Sequence, residues 1–418
     1  MKAVLEAISR DEALWSDFVA LCDCGGRRAG TESETKSLDF AQQRLASMGG
    51  RVRADPVKYA GWRLDHASLL LEDDTRLSCN PLLGSQSTAA DGVAAEICDL
   101  GRGTPEDFER RDGDIRGRFA LVRHEYPFSP QHVHRRRKLA LATERGAAGF
   151  IIANPHPGSG PVSGSSGRGG EQGIPAVGTD FEAAERLSRL SGSRARVRMN
   201  VAAEDYTAHT RVLTLDLPGN GPGWVVLSAH VDGHDLAESA MDNATGVAAA
   251  FAIARAIAPH MASCARGLRV SLFSAEEWAL AGSKQYLATL PAQERDAIAL
   301  NVNLDTIAGD DRLTALTTGF ERLDAWVRRV SDEEKLGFGT YLPPMSNSDH
   351  FNFAQHGIPA LRLVAGFGNP ECNIRYILTR GDTRDRVRQV DLTSAARAAA
   401  TLVWRALTAA PAELAALR

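Results

Sequence analysis

The chain has 418 residues, of which 44% are hydrophobic and 24% are charged, and its formal net charge is −4. These values are typical of a large folded protein and exclude a disordered chain, and the length favours two domains. A small net charge without a long basic tract argues against nucleic acid as a partner. No apolar run approaches the length of a membrane span, so we expect no membrane partner either.

The cysteines predict the redox state of the protein. In a chain of this size, scattered cysteines without a Cys-x-x-Cys pair are expected to be reduced thiols rather than disulfides or a zinc knuckle. Acidic residues at Glu6, Asp11 and Glu12 interrupt the apolar stretch that a signal peptide would need. The sequence therefore predicts a cytoplasmic protein, and it leaves a homo-oligomer open. The six cysteines are Cys22, Cys24, Cys79, Cys98, Cys264 and Cys372.

The first half of the chain contains one clear helix and then changes character. Thr31 and Glu34 have the spacing of a capping box, which predicts a helix from there to the glycines at 49–50. Residues 58–203 are rich in short alternating segments and turn residues, and they include a strand, helix, strand order over residues 117–178. We therefore predict a smaller inserted domain over 58–203, with 1–57 and 204–418 forming the other domain.

A basic run, Arg135 to Lys138, lies in this inserted segment. Such a run is usually a solvated helix face. The alternative is a cationic rim that attracts an anionic substrate.

The second half combines a strand, polar residues and a helix. Residues 224–227 have the pattern of a short buried strand, and residues 246–257 that of a packed helix. Between them stand His230, Asp232 and Asp242. An imidazole and carboxylates at the end of a strand are suited to binding a metal ion.

Two more predicted strands, 268–273 and 298–304, also lead into acidic residues. The first is followed by Glu276 and Glu277, and the second by Asp305. Because ligands gather at the carboxyl ends of strands in an open α/β sheet, we expect these acids to converge with the histidine of the preceding strand. Imidazole and carboxylates bind zinc and also harder ions such as manganese.

Each of these residues also has a simpler interpretation on its own. His230 could be a hydrogen-bonded structural residue. The two adjacent glutamates could be a solvated helix start, and Asp305 could be a helix cap. The ordered combination favours the metal site.

Five motifs in the second half resemble those of one enzyme family. They are His-x-Asp at 230–232, Met-Asp-Asn-Ala-Thr-Gly at 241–246, Ser-Ala-Glu-Glu at 274–277, Asn-Leu-Asp at 303–305 and Ser-Asp-His at 348–350. This set resembles the co-catalytic metallopeptidases, which include bacterial leucine aminopeptidases, glutamate carboxypeptidase and glutaminyl cyclase. The inserted segment resembles the protease-associated domain found in several members of that family.

The resemblance implies a fold and a role for each site residue. The fold would be α/β, with a mixed, largely parallel sheet, helices on both faces and the smaller domain inserted. Glu276 would be the general base, and Asp232 would orient His230. Asp349 and His350 would line the substrate pocket. The metal ligands would be His230, Asp242, Glu277 and Asp305.

The chain departs from the family at one ligand position. The last ligand of the family is a histidine, and Leu378 occupies the matching position here. Leucine cannot bind a metal, so we expect one tightly bound divalent ion, zinc or manganese. A second ion stays open, with His350, His356 or His234 as possible substitutes for the missing ligand.

These observations predict a metal-dependent hydrolase that cleaves a C–N bond, with a short peptide or a small molecule as its substrate. Peptide or amide hydrolysis is the first expectation. Three arginines near the last motif, Arg375, Arg380 and Arg384, favour an alternative: an aminohydrolase or amidohydrolase for a compact carboxylate-bearing substrate such as a nitro-substituted aminobenzoate. A noncatalytic binding protein on a decayed peptidase fold is the third possibility.

Overall fold

The computed structural model describes residues 1–418 and contains two compact units. The main unit comprises residues 1–57, 209–377 and 382–418. The inserted unit comprises residues 58–208 and 378–381. The predicted insertion, 58–203, ends five residues earlier because the strand there continues without a break to Leu217.

Fourteen helices and fifteen strands make up the two units. The helices are α1 Lys2–Ser9, α2 Glu12–Asp23, α3 Glu32–Ala46, α4 Pro105–Arg110, α5 Asp112–Ile115, α6 Arg135–Glu144, α7 Phe181–Leu190, α8 Thr245–Ile257, α9 Ala281–Thr289, α10 Ala292–Asp296, α11 Glu321–Glu333, α12 His350–Gln355, α13 Gln389–Thr408 and α14 Pro411–Ala415. The strands are β1 Arg51–Leu70, β2 Arg76–Leu77, β3 Cys79–Pro81, β4 Val93–Ala95, β5 Ile97–Asp99, β6 Phe119–Arg123, β7 Gly149–Ala153, β8 Ala176–Thr179, β9 Val197–Leu217, β10 Trp224–His230, β11 Gly267–Phe273, β12 Ile298–Leu304, β13 Leu313–Leu316, β14 Gly339–Tyr341 and β15 Ala360–Ala365.

The main unit is built on a mixed sheet with the strand order β14-β13-β15-β12-β10-β11-β9-β1. Strand β10 is parallel to both β11 and β12, and β12 is parallel to β15. Leu227 at the centre of β10 pairs with Val270 and Val302 on its two neighbours. These strands are apolar and buried along almost their whole length, as expected for parallel strands that are covered on both faces. The predicted fold class is confirmed.

Helix α8 is the central helix of the main unit and contacts α1, α2, α13 and the sheet. Its predicted bounds, 246–257, agree with the structure to one residue. The helical stretch 240–263 is long and apolar enough to cross a membrane by length and composition, but 78% of its most apolar window is buried inside the fold. It is therefore a core element.

The inserted unit contains a second sheet with the order β3-β8-β7-β6-β5. Strands β5, β6, β7 and β8 are parallel, and β3 is antiparallel to β8. Helix α6 precedes β7, so the predicted order of strand, helix and strand is confirmed.

The basic run at the start of α6 is solvated only in part: Arg137 is exposed, as expected, whereas Arg135 and Lys138 are buried. Arg135 is buried and donates to the carbonyl of Ser165 at 3.0 Å. The buried Lys138 ammonium forms an ion pair with Glu125 at 2.7 Å. These two charges hold the inserted unit together, so both interpretations from sequence were wrong for them.

The capping box predicted for α3 is only half formed. The Thr31 hydroxyl accepts from the Glu34 amide at 3.4 Å, as predicted. The Glu34 carboxylate, however, accepts from the amide of Gly30 at 2.7 Å and from the hydroxyls of Ser274 and Thr210. Burial raises the pKa of this carboxyl group. All six cysteines are free thiols, as expected.

Candidate metal centre

The carboxyl ends of three parallel strands bring the predicted site residues together. His230 is the last residue of β10 and pairs with Phe273, the last residue of β11. Glu276 follows β11, and Asp305 follows β12 directly. Strand order alone therefore places an imidazole and two carboxylates at one edge of the sheet.

The ligand atoms of His230, Glu276 and Asp305 all lie within 4.8 Å of one another. His230 Nε2 also lies 3.1 Å from Asp242 Oδ1 and 3.5 Å from Asp305 Oδ1. All four residues are buried. The structure thus groups the His230 imidazole with the carboxylates of Glu276 and Asp305, and it places Asp242 beside the same imidazole.

The donor set fits a divalent ion. His230 Nδ1 lies 3.0 Å from the main-chain carbonyl oxygen of Asp232, to which it can donate. That leaves Nε2 facing the carboxylates, and this buried nitrogen makes no hydrogen bond of suitable geometry. A histidine whose second nitrogen is held by a carbonyl is the usual arrangement for a metal ligand. Imidazole and carboxylate together suit zinc.

Asp232 contacts His230 as predicted, but through its main-chain carbonyl rather than its side chain. Its Oδ1 is 3.7 Å from His230 Nδ1, which is too long for a hydrogen bond. Instead the carboxylate accepts from the main-chain amides of Glu276 at 3.0 Å and of Glu277 at 3.2 Å. Asp232 therefore orients the loop that carries the glutamates, while only its carbonyl orients the histidine.

Both carboxylate oxygens of Asp305 are bound by neighbouring side chains. Oδ1 lies 3.0 Å from the Arg362 guanidinium and accepts from the Thr306 hydroxyl at 3.0 Å, and Oδ2 accepts from the Ser348 hydroxyl. Burial alone would raise the pKa of Asp305, but Arg362 and His230 outweigh it and hold the pKa below its ordinary value. Asp305 is therefore an anion, as a metal ligand must be.

Asp242 is positioned by a carboxylate from a distant segment. Asp382 accepts from the amide of Met241 at 2.7 Å and from the amide of Asp242 at 3.3 Å. The neighbouring Asn243 donates to the carbonyl of Leu304 at 2.9 Å, at the end of β12. Burial and the negative charge of Asp242 raise the pKa of Asp382 to about 7.

The two adjacent glutamates are distinguished by their positions. Glu276 belongs to the group around His230, whereas Glu277 does not, so the ligand role of Glu277 stays a prediction. Burial raises the pKa of Glu276 well above its ordinary value, and the nearby Glu277 and Asp349 add to the shift against the opposing effect of His230. A carboxyl group with a raised pKa is suited to proton transfer.

Asp349 and His350 stand at the start of α12 and are fully buried. The oxygens of Asp349 and the ring nitrogens of His350 make no hydrogen bond of suitable geometry. Burial raises the pKa of Asp349 to about 7, and burial together with Arg362 lowers the pKa of His350 to about 3. Neither His350 nor the other two candidate substitutes, His234 and His356, belongs to the group of ligand atoms.

The three predicted substrate-binding arginines are engaged elsewhere. Arg375 forms an ion pair with Glu371 at 2.9 Å. Arg384 is paired with Glu238 at 2.9 Å and with Asp23 at 2.7 Å. In the inserted unit, Arg380 donates to the carbonyl of Gly158 at 2.7 Å. Two of the three arginines are thus already paired with acidic side chains, and the substrate-binding role of all three stays a prediction.

Two supporting residues escaped the sequence analysis. Arg362 lies in β15, where a single charged residue within the buried run Ala360–Ala365 is a signal that could have been noticed. Arg27 lies in the glycine-rich segment 25–30, which resembles the family only weakly, and that resemblance did not indicate its long-range contacts.

Comparison with known proteins gives two family matches. Residues 212–403 match Peptidase family M28, and residues 86–187 match the PA domain. The chain is 26% identical to Aminopeptidase YwaD of Bacillus subtilis, over 89% of this chain and 80% of that protein. It is 28% identical to Carboxypeptidase Q of Bos taurus, over 81% of this chain and 74% of that protein.

Solved structures with the same fold include a zinc aminopeptidase from Bacillus subtilis, with a TM-score of 0.73 at 22% identity and coverage of 97% of this chain and 95% of that chain. A peptidase M28 precursor from Shewanella amazonensis gives a TM-score of 0.79 at 21% identity, with coverage of 98% of this chain and 96% of that chain.

Proposed function

We propose that the chain is a zinc aminopeptidase, a metal-dependent hydrolase of peptide C–N bonds, because residues 212–403 match Peptidase family M28 and residues 86–187 match the PA domain. The observation that carries the proposal is the buried group of His230, Glu276 and Asp305, with ligand atoms within 4.8 Å of one another. The alternatives of an aminohydrolase and of a noncatalytic binding protein are not favoured by any of these similarities.

His230, Asp242 and Asp305 would hold the ion. When bound, it would supply a Lewis acid that polarises the scissile carbonyl and lowers the pKa of a water molecule. Zinc is the metal named for a structural relative, and an imidazole with carboxylates fits it. We propose one tightly held zinc ion per chain, because Leu378 offers no ligand atom at the position where the resemblance expects a histidine.

Glu276 would transfer the proton. Its raised pKa suits a carboxyl group that accepts a proton from the attacking water near neutral pH and returns it to the leaving amine nitrogen. Asp232 would keep Glu276 in place, because its carboxylate accepts a hydrogen bond from the main-chain amide of Glu276. This role requires only that the Glu276 carboxyl group can gain and then lose one proton.

Charge favours the amino end of a peptide over the carboxyl end. Several acidic side chains lie close to Glu276, among them Glu277 and Asp305, and together they would attract a substrate ammonium group. A substrate carboxylate would need a cation, and Arg375 and Arg384 are already paired with acidic side chains. We therefore propose that the substrate is a short peptide with a free amino terminus.

Hydrolysis of leucine p-nitroanilide, compared with its N-acetylated form, tests this function. We expect the free amine to be hydrolysed, the blocked compound to resist, EDTA to abolish activity and zinc to restore it. A carboxypeptidase would instead release the last residue of an N-blocked dipeptide. Activity that survives exhaustive chelation would contradict the metal dependence.

A further inference from the structure

Arg27 is a buried arginine, and each of its three side-chain nitrogens donates to main-chain carbonyl groups. Its side chain is 0% exposed. Two of the accepting carbonyl oxygens lie earlier in the chain: those of Leu21 at 3.1 Å and Gly25 at 3.0 Å from the guanidinium nitrogen. The other three are Val231 at 2.9 Å, Glu238 at 2.6 Å and Ser239 at 2.6 Å.

These last three carbonyls belong to one loop. Residues 231–239 connect His230 to the segment that carries Asp242, and Arg27 holds the loop at both ends. The main chain beside Arg27 also touches the loop, since a Cβ atom placed on Gly26 would lie 1.9 Å from the carbonyl oxygen of His234. The loop therefore rests against the segment 25–27 with no room between them.

We propose that Arg27 is a positioning residue that fixes the separation of His230 and Asp242 and so sets the affinity of the metal centre. The inference rests on the proposed metal-binding function. Arg27 touches neither of these two side chains, and it acts only through the loop that joins them.

A guanidinium group is suited to this task because its donors project in one plane in fixed directions. A lysine keeps the charge but has three donors on one nitrogen, which cannot reach carbonyls at both ends of the loop. Without any donor, the carbonyls are left buried and unsatisfied, and the loop must move towards water to recover hydrogen bonds. Movement of the loop changes the geometry of both ligands.

The test compares Arg27→Lys and Arg27→Met with the wild-type protein. Zinc affinity is measured by competition with a chromogenic chelator, and the thermal midpoint of the metal-free protein is measured in EDTA. We expect Arg27→Met to weaken zinc binding at least about tenfold, with Arg27→Lys in between, because supporting groups around metal ligands commonly contribute this much.

Arg266→Met is the matched control. Arg266 is also buried, and its guanidinium donates to the carbonyls of Ala406 and Ala409, outside the loop. It should lower the thermal midpoint but leave zinc affinity within about twofold of wild type. Arg27 variants that lose stability as Arg266→Met does, yet bind zinc as tightly as wild type, would overturn the proposal. If Arg27→Met does not fold, the same comparison is made with Arg27→Lys.

Gly26→Ala is an independent perturbation that leaves the guanidinium intact. Its methyl group must displace the loop, so we expect weaker zinc binding again. Gly339→Ala serves as its control, because a Cβ atom there meets nothing within 4 Å. Equal zinc affinity in the two alanine variants would count against the loop as the carrier of the effect. Failure of the wild-type protein to bind zinc would instead refute the proposed function.

Discussion

The buried Arg362 guanidinium lies 3.0 Å from Oδ1 of Asp305, the same oxygen that lies 3.5 Å from His230 Nε2. Both side chains are almost wholly buried, so water screens their interaction little. Arg362 thus compensates the charge of Asp305 before any metal ion binds.

Replacing Arg362 by methionine should therefore destabilise the metal-free protein more than the zinc-bound protein. The change leaves Asp305 as an uncompensated buried charge, which typically costs about 3 kcal/mol of the free energy of unfolding. Zinc supplies positive charge at the same carboxylate and should recover much of this loss. Thermal unfolding with EDTA and with zinc measures the difference. An equal zinc-induced shift in variant and wild type would show that Arg362 does not have this role.

Zinc affinity should fall as the pH falls from 8 to 6. Although burial lowers the pKa of His230, the carboxylates of Glu276 and Asp305 outweigh it and raise the pKa well above its ordinary value. The imidazole of the metal-free protein therefore holds a proton that must leave when a metal ion binds. Affinity should change by about tenfold per pH unit for each proton released. Chelator competition at several pH values measures the slope, and a flat profile would exclude proton release from His230.

The raised pKa of Asp349 predicts that the stability of the metal-free protein depends on pH. Burial raises its pKa from 3.8 to about 7, so the fold favours the protonated form. The stability due to this group is fully present below pH 3.8 and is lost as the pH rises towards 7. Asp349→Asn removes the titration, so its advantage over wild type should grow over this range by up to roughly 4 kcal/mol. Urea unfolding in EDTA at each pH measures the difference, and a constant difference would mean that Asp349 has no raised pKa.

The sheet and the convergence of the site could be predicted because they depend on local patterns. Strands β10, β11 and β12 are visible as short apolar runs, and parallel strands place their carboxyl ends at one edge. The ordered motifs then favoured metal-dependent hydrolysis of a C–N bond over the other possible functions. The convergence of His230, Glu276 and Asp305 could therefore be predicted from the strand topology alone.

The supports of the site could not be predicted in the same way. Arg27 binds the carbonyl of Val231, which is 204 residues further along the chain, and no periodicity marks that pair. Asp232 directs its carboxylate to the amides of the glutamate loop rather than to the histidine, a choice that depends on side-chain rotamers. Lys138 is charged yet buried, because Glu125 and nearby carbonyls compensate it. Sequence patterns describe which faces are apolar, but they do not specify which distant groups satisfy a buried charge.

Metal stoichiometry tests the consequence of Leu378. Protein dialysed against metal-free buffer should retain about one zinc ion per chain or fewer, because ligand count largely sets affinity and a leucine supplies no ligand. Elemental analysis together with protein quantification gives the ratio. Two ions that resist dialysis would contradict the expectation and would require a ligand that the present group does not contain.

The most direct test of the account is the Glu276→Gln variant, assayed for leucine p-nitroanilide hydrolysis and for zinc content in the same preparation. Glutamine keeps the size of the side chain but cannot accept and return a proton. We predict that zinc content stays at the wild-type level while kcat falls by at least about 100-fold. Undiminished turnover would contradict the assignment of Glu276 as the general base. Loss of zinc together with activity would instead make Glu276 a metal ligand.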